Sequence, residues 1–252
     1  MATGFSFESV SATDYDELRP GYAAAAVDRF AERARLDATS LVVDLAAGTG
    51  QLSRRLRALG PRVVAVEPAA NMRAVLADGL RDVTVLDGTA EAIPLADGEA
   101  DAVVVGNAFH HFDAERAFAE IRRVLRPGGS LALFWAWPAE DTGAHPALPR
   151  IEALVEEMRG TSPIAQVYRR WSEIPATVPG FSPFERDEFA MTKLEPSDRL
   201  ADLWATSSDV ASMPGPARSE LLDRIRALSR ALPPTVELAF RTVVDRCVRQ
   251  EP

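Results

Sequence analysis

The stretch LVVDLAAGTGQL carries Asp44 and then Gly48 and Gly50. Glycines at that spacing let a backbone approach a ligand closely, through a turn that side chains would block. Glu67 closes the next apolar run, VVAVEP, where a carboxylate can accept hydrogen bonds from both hydroxyls of a ribose. A third run leads into DGTAEAIPL, with the small polar Thr89 and a set of backbone amides, and a fourth into GNAFHHFD, with Asn107, His110 and His111. Imidazole titrates near neutrality, so His110 is the candidate general base. His111 reads as pocket-lining or structural. With three histidines in the chain and no cysteine partners for them, no metal site is expected. A nucleotide, a dinucleotide and S-adenosylmethionine (SAM) all use glycine turns of this kind, and the turn alone leaves the three open.

These groups need elements to position them. The runs LVVDLA, RVVAVE, DVTVLDG, DAVVVGNAF and SLALFWAW are short and rich in valine and leucine, as strands buried on both faces are. Helical patterns lie between them. Residues 51–59 put Leu52, Leu56 and Leu59 on one face and stop at Gly60-Pro61, and 71–77 follow the second run. Asp113 is placed to N-cap a helix running to Leu125, with Phe118, Ile121 and Leu125 as its buried stripe, and RPGG stops it. Alternating βα units predict right-handed crossovers and an open parallel sheet, whose ligands bind at the carboxyl ends of the strands. Those ends are where the residues above lie.

After Trp137 the texture changes. A loop rich in proline and small residues, PAEDTGAHPALP, leads to helical patterns over 151–159 and 164–171. FSPFERDEFAMTKL reads as a strand, helices are expected over 198–207 and 217–231, and TVELAFRTVVDRCV reads as a last strand because Val236, Leu238 and Phe240 alternate. The late pair is expected to be antiparallel and to close one sheet edge, with the extra helices capping the strand ends. A helix over 22–33 precedes the first strand. Trp137 is placed to line an acceptor pocket, Trp135 to fill the core, and Trp171 and Trp204 to pack the cap.

Composition narrows the function classes. The chain has 252 residues, 47% of them hydrophobic, and a net charge of -9, which suits one α/β domain with a normal core. It has no polybasic run, so no nucleic-acid footprint and no anionic membrane surface are expected. No apolar run reaches the length of a spanning helix and no signal peptide is visible, so a cytoplasmic location is expected. The single cysteine, Cys247, excludes an intramolecular disulfide and reads as a packed thiol. A dinucleotide turn wants G-x-G-x-x-G. Here Gly48 and Gly50 are followed by Ser53, and no Walker A sequence occurs.

The segments VVDLAAGTGQL, VVAVEP, LDGTAEAIPLADGEAD, VVGNAFHHFD and EIRRVLRPGGSLALFW occur in this order. Together they resemble the class I SAM-dependent methyltransferases, in particular the type 11 group, over about residues 41–137. The leading stretch DYDELRPGYAAAAVDRF resembles that of a subset related to trans-aconitate methyltransferases. The chain departs from that pattern at His111, where relatives often have tryptophan, and at Thr89, where they often have an acid.

The resemblance implies an α/β fold, a Rossmann-like seven-stranded mostly parallel sheet with helices on both faces plus a helical cap. It is expected as a single domain: an N-terminal helical lid (1–40), a cofactor core (41–138), and cap helices with the last two strands (139–252). It also implies SAM as cofactor, S-adenosylhomocysteine as product and a small-molecule acceptor, in a monomer or homodimer. Tyr15, Arg19 and Tyr22 are expected to close over the cofactor. Asp44 is expected near its methionine end with Gly48 and Gly50 beneath it, Glu67 at the ribose hydroxyls, Met72, Thr89, Ala90 and Glu91 flanking the adenine, and Asn107 on the methionine side. Ala46, Gln51, Pro68, Gly88 and Ala108 are expected as further cofactor-binding residues. Transfer to a hydroxyl or carboxylate oxygen is favoured, with nitrogen or carbon as alternatives. The rival functions are a SAM-binding regulator or cyclase and a NAD(P)-dependent oxidoreductase.

Overall fold

The computed structural model describes residues 10–139, 147–159 and 177–251. The five apolar runs form β1 (Leu41–Leu45), β2 (Arg62–Val66), β3 (Thr84–Leu86), β4 (Ala100–Gly106) and β5 (Leu125–Pro138), which pair in parallel. The late pair, β6 (Glu185–Pro196) and β7 (Thr235–Val248), is antiparallel, and β7 also runs antiparallel to β5. The sheet order is β3-β2-β1-β4-β5-β7-β6. The chain therefore reverses direction across the sheet between β1 and β4, and a crevice opens at their carboxyl ends. Register levels that crevice. Leu45 pairs with both Val66 and Val105, so Ala46 and Glu67 leave the sheet together, level with Gly106 at the end of β4.

Both sheet faces are covered, which explains why the runs are continuous rather than alternating. Val43, Leu45, Val103 and Val105 meet Phe118 and Ile121 of α5 (Ala114–Val124) on one face. Val42, Ala65 and Val104 meet Phe30 of α2 (Ala24–Arg33), Leu56 of α3 (Gln51–Ala58) and Leu76 of α4 (Ala70–Gly79) on the other. Asp113 caps α5 as expected, accepting the Arg116 N–H at 3.3 Å. The third strand is shorter than its run, and the fifth begins earlier, at Leu125, because that residue already pairs with Ala100 across a bulge.

The cap joins three parts of the chain. Ile151 and Val155 of α6 (Ala147–Arg159), Leu203 of α7 (Leu200–Ala205) and Leu221 and Ile225 of α9 (Gly215–Ser229) share one apolar core. A short α8 (Ser208–Ala211) links α7 to α9. Leu18, at the end of α1 (Ala12–Leu18), enters the same core, so the N-terminal lid and the cap pack as one layer. The expected helix over 164–171, with Trp171, lies outside the described residues.

Near its carboxyl end β7 carries a buried acid. Asp245, 3% exposed, accepts from the Trp135 indole at 3.2 Å and from the Arg186 guanidinium at 2.7 and 3.1 Å. The acid thus fixes a tryptophan of β5 and ties β6 to β7. Asp245→Ala leaves the indole N–H without that acceptor inside the sheet, and is expected to lower unfolding stability by about 2 kcal/mol in urea titration. An unchanged midpoint would show that the pair contributes nothing.

Candidate active site

The glycine turn between β1 and α3 is built from unusual backbone. Ala46, Gly48 and Gly50 have φ of 55°, 58° and 89°, a region that L side chains rarely adopt. Gly50 is the N-cap of α3, and a Cβ there would lie 3.0 Å from Leu76. Glu67 holds this turn. Its carboxylate, in a residue 5% exposed, accepts the Gly48 N–H and the Ala69 N–H, each at 2.8 Å. Arg73 then donates to the carbonyls of Glu67 and Pro68 at 2.8 and 2.7 Å and pairs with Asp87. Burial raises the Glu67 carboxyl above its usual range, opposed by its two amide bonds.

Asp44 performs a related task one strand over. It is 1% exposed, and Oδ2 accepts both the backbone N–H of Ser53 at 2.9 Å and its hydroxyl at 2.6 Å. A strand carboxylate therefore takes up an N–H from the first turn of α3, which the left-handed Gly50 N-cap cannot reach. Ser53 is the residue where a dinucleotide turn wants glycine, and its hydroxyl is the reason a side chain is used there. Burial pushes Asp44 up to about 7, with Ser53 opposing and Glu67 adding.

The lid lies over this turn. Tyr15 packs with Val10, Ala69 and Met72, beside Gly48, and the Arg19 guanidinium sits 5.5 Å from the Tyr15 ring centre. Tyr22 reaches across the end of β4, where a Cβ on Gly106 would collide with its hydroxyl, and stands edge-on to Phe134. Burial holds the Tyr22 phenol well above its ordinary value. Gln51 turns to the lid, donating to the Asp16 carbonyl at 2.9 Å. At the other end of α1, Lys193, the chain's lone lysine, donates to the carbonyls of Glu17 and Leu18 at 3.1 and 2.6 Å and pairs with buried Glu195 at 2.8 Å. It caps the helix from which Arg19 emerges.

The remaining expected residues divide. Met72 is buried in the lid cluster. Gly88 is pinned against Pro94 and Val66, and Ala90 is buried, whereas Pro68 and Thr89 are exposed. Glu91 accepts the Asp113 N–H at 2.9 Å, which ties its loop to α5. Asn107, at φ 49°, accepts the Ala136 N–H at 2.9 Å and so joins the ends of β4 and β5 beside Ala108. His110, 8% exposed, lies against His111 with ring centres 3.9 Å apart, and 6.4 Å from Trp135. Burial, with His111 and Arg19 adding, holds the His110 pKa well below 6.5; burial alone brings His111 to about 4. Both imidazoles are neutral at pH 7. His145 lies outside the described residues.

Arg19, Asn107 and His110 open onto a cavity of about 130 Å³, on the scale that accommodates one aromatic ring. Its other walls are mostly apolar and come from the cap and the sheet end, Trp137 and Trp204 among them. Ser53 was visible in the sequence only as the residue in place of a third turn glycine, and the cap residues Glu152, Leu203 and Asp209 were not anticipated. Of those three, Glu152 left a signal, as a charge within an apolar helical stripe.

A family model for a methyltransferase domain matches residues 43–133. The uncharacterized methyltransferase Rv3342 of Mycobacterium tuberculosis is 37% identical over 215 residues, covering 85% of this chain and 82% of that protein. The chain belongs to the class I SAM-dependent methyltransferase family. A solved structure described as a type II methyltransferase from Anaeromyxobacter dehalogenans shares the fold of this methyltransferase, with TM-score 0.67, 23% identity, and coverage of 90% of this chain and 97% of that one. So does the [4+2]-cyclase SpnF, with TM-score 0.51, 21% identity, and coverage of 91% and 82%. Among the described residues of the methyltransferase, no helix is long and apolar enough to cross a membrane.

The Asp44 shift has a definite sign. A carboxyl raised from 3.8 to about 7 on folding binds more protons in the native than in the unfolded state. Its contribution to stability is full below about pH 4 and is lost as pH rises through about 7. Relative to Asp44→Asn, the wild-type methyltransferase, purified without cofactor, is expected to lose stability across that window. The slope reaches up to about 1.4 kcal/mol per pH unit in urea titrations and levels off above pH 7. Parallel curves for the two proteins would show Asp44 ionised throughout.

Proposed function

We propose that this methyltransferase moves a methyl group from SAM to a hydroxyl or carboxylate oxygen of a small, largely apolar molecule held under the cap. The carrying observation is the apolar cavity lined by Asn107, His110 and Arg19, with Arg19 set near the Tyr15 ring that lies beside Gly48. The residues present fit the cofactor. Each Glu67 oxygen takes one backbone N–H, and an ionised carboxylate has about four acceptor positions. One position on each oxygen remains for a ribose hydroxyl. The turn after β1 offers a close backbone approach, and the Tyr15 ring suits a sulfonium cation. When bound, SAM supplies an electrophilic methyl group on a good leaving group.

The chain's own residues do the rest. Asp44, Gly48 and Asn107 line the methionine end, and the Tyr15 and Arg19 lid excludes water. Arg19 pairs with a carboxylate, either the cofactor's or an acceptor's. Neutral His110 accepts the hydrogen bond of an acceptor hydroxyl. As the new C–O bond forms, that oxygen becomes strongly acidic, so a base of lowered pKa suffices to take its proton. An acceptor carboxylate is already ionised and needs no base.

Release of S-adenosylhomocysteine, measured over a panel of phenols, alcohols and carboxylic acids, tests the reading. No release with any member would instead favour a SAM-binding protein without transfer, a regulator or cyclase. Glu67→Ala is expected to weaken S-adenosylhomocysteine binding by about 2 kcal/mol, roughly 30-fold, in calorimetry. Unchanged affinity would remove the ribose assignment. His110→Ala is expected to lower kcat at least about tenfold for hydroxyl acceptors while sparing cofactor affinity and carboxylate acceptors. Equal kcat for a hydroxyl acceptor would dismiss the base.

A further inference from the structure

Helix α6 turns Leu148, Ile151 and Val155 toward the cap core, a spacing of three and then four residues. Glu152 lies on the same face, one turn after Leu148, where the stripe calls for an apolar side chain. The exposed side of the helix carries Ala153, Glu156 and Glu157 instead. Glu152 is half-buried and lines the cavity with Ile151, Leu203 and Trp204. It takes part in none of the ion pairs among the described residues, and burial alone raises its pKa. The two other charged groups on the cavity wall are placed differently. Arg19 sits near the Tyr15 ring, and buried Asp209 accepts the Val210 N–H at 3.0 Å.

A carboxylate drawn into an apolar wall costs desolvation free energy that a bound cation would offset. Trp137 and Trp204 line the same cavity, and indole rings attract cations. We infer that the methyl acceptor carries a basic nitrogen on an apolar, ring-sized body, and that Glu152 of the cap pairs with it. Glu152 is then the specificity residue of the cavity, while His110 serves the reacting oxygen. The inference rests on the cavity being the acceptor site of the proposed function.

Three matched phenols separate the possibilities: tyramine, 4-ethylphenol and 3-(4-hydroxyphenyl)propionate. Each is titrated calorimetrically into the full chain saturated with S-adenosylhomocysteine, as wild type and as Glu152→Gln. Wild type is expected to bind tyramine at least about tenfold more tightly than 4-ethylphenol, and Glu152→Gln to bring the ratio to within about twofold. Equal affinities in wild type, preference for the acid, an amine preference that survives Glu152→Gln, or no binding of any phenol would each overturn the inference. Turnover with SAM on the same three compounds tests the underlying reading separately. A Glu152-dependent amine preference without S-adenosylhomocysteine release keeps the pairing of Glu152 with a basic nitrogen and removes hydroxyl transfer. Release without that preference does the reverse.

Discussion

Two carboxylates at the ends of adjacent parallel strands hold the chain that crosses between them. Glu67 takes the amides of Gly48 and Ala69, and Asp44 takes the amide and hydroxyl of Ser53. Between these anchors Ala46, Gly48 and Gly50 stay at positive φ, which costs conformational free energy at Ala46 and little at the glycines. Both acids are buried, and burial raises both. Acids placed this way are poor sources of stability, because a charge taken from water must be compensated by its hydrogen bonds. Their value is geometric. They fix the start of α3 and the level at which β1 and β2 release the chain, and the lid and cap are positioned against that level.

The lid connects the two halves of the site. Its amino-terminal side packs on Met72 and Ala69 over the turn, and its carboxyl end is capped by Lys193 from the edge strand. Leu18 enters the cap core and Arg19 lines the cavity. One seven-residue helix with its Arg19 C-cap therefore touches the glycine turn, the edge strand β6 and the cavity. A helix this short is marginal alone and takes its order from what it packs against. Loosening either the edge strand β6 or the turn therefore acts on Arg19 as well.

The sheet was largely legible in the sequence because burial on both faces leaves a crude signature, valine-rich runs between helical stripes. Even the late pair followed from alternation at Val236, Leu238 and Phe240. The boundaries were less legible for physical reasons. β5 starts at Leu125 because of a partner on β4, and α1 forms as a helix separate from α2 because Ser11 caps it at Asp14 and tertiary contacts hold it. Neither cause is local to the segment it shapes.

The candidate site divides along the same line. Asp44, Gly48, Glu67 and Asn107 sit within a few residues of strand ends, so strand recognition located them. Two neighbours also make hydrogen bonds within the frame, Glu91 to the start of α5 and Gln51 to the lid. Spacing cannot separate a residue that faces a ligand from one that holds the residue facing it. The acceptor side has no local signature, because its walls come from α6, α7, α8 and β7, brought together only by the cap core. Glu152 shows the limit well. Its place in an apolar stripe is visible in the sequence, but an acid there reads as a solvated helix flank until the fold shows that this flank closes a cavity. A sequence records that a charge breaks a pattern; the packing around it gives that break a chemical meaning.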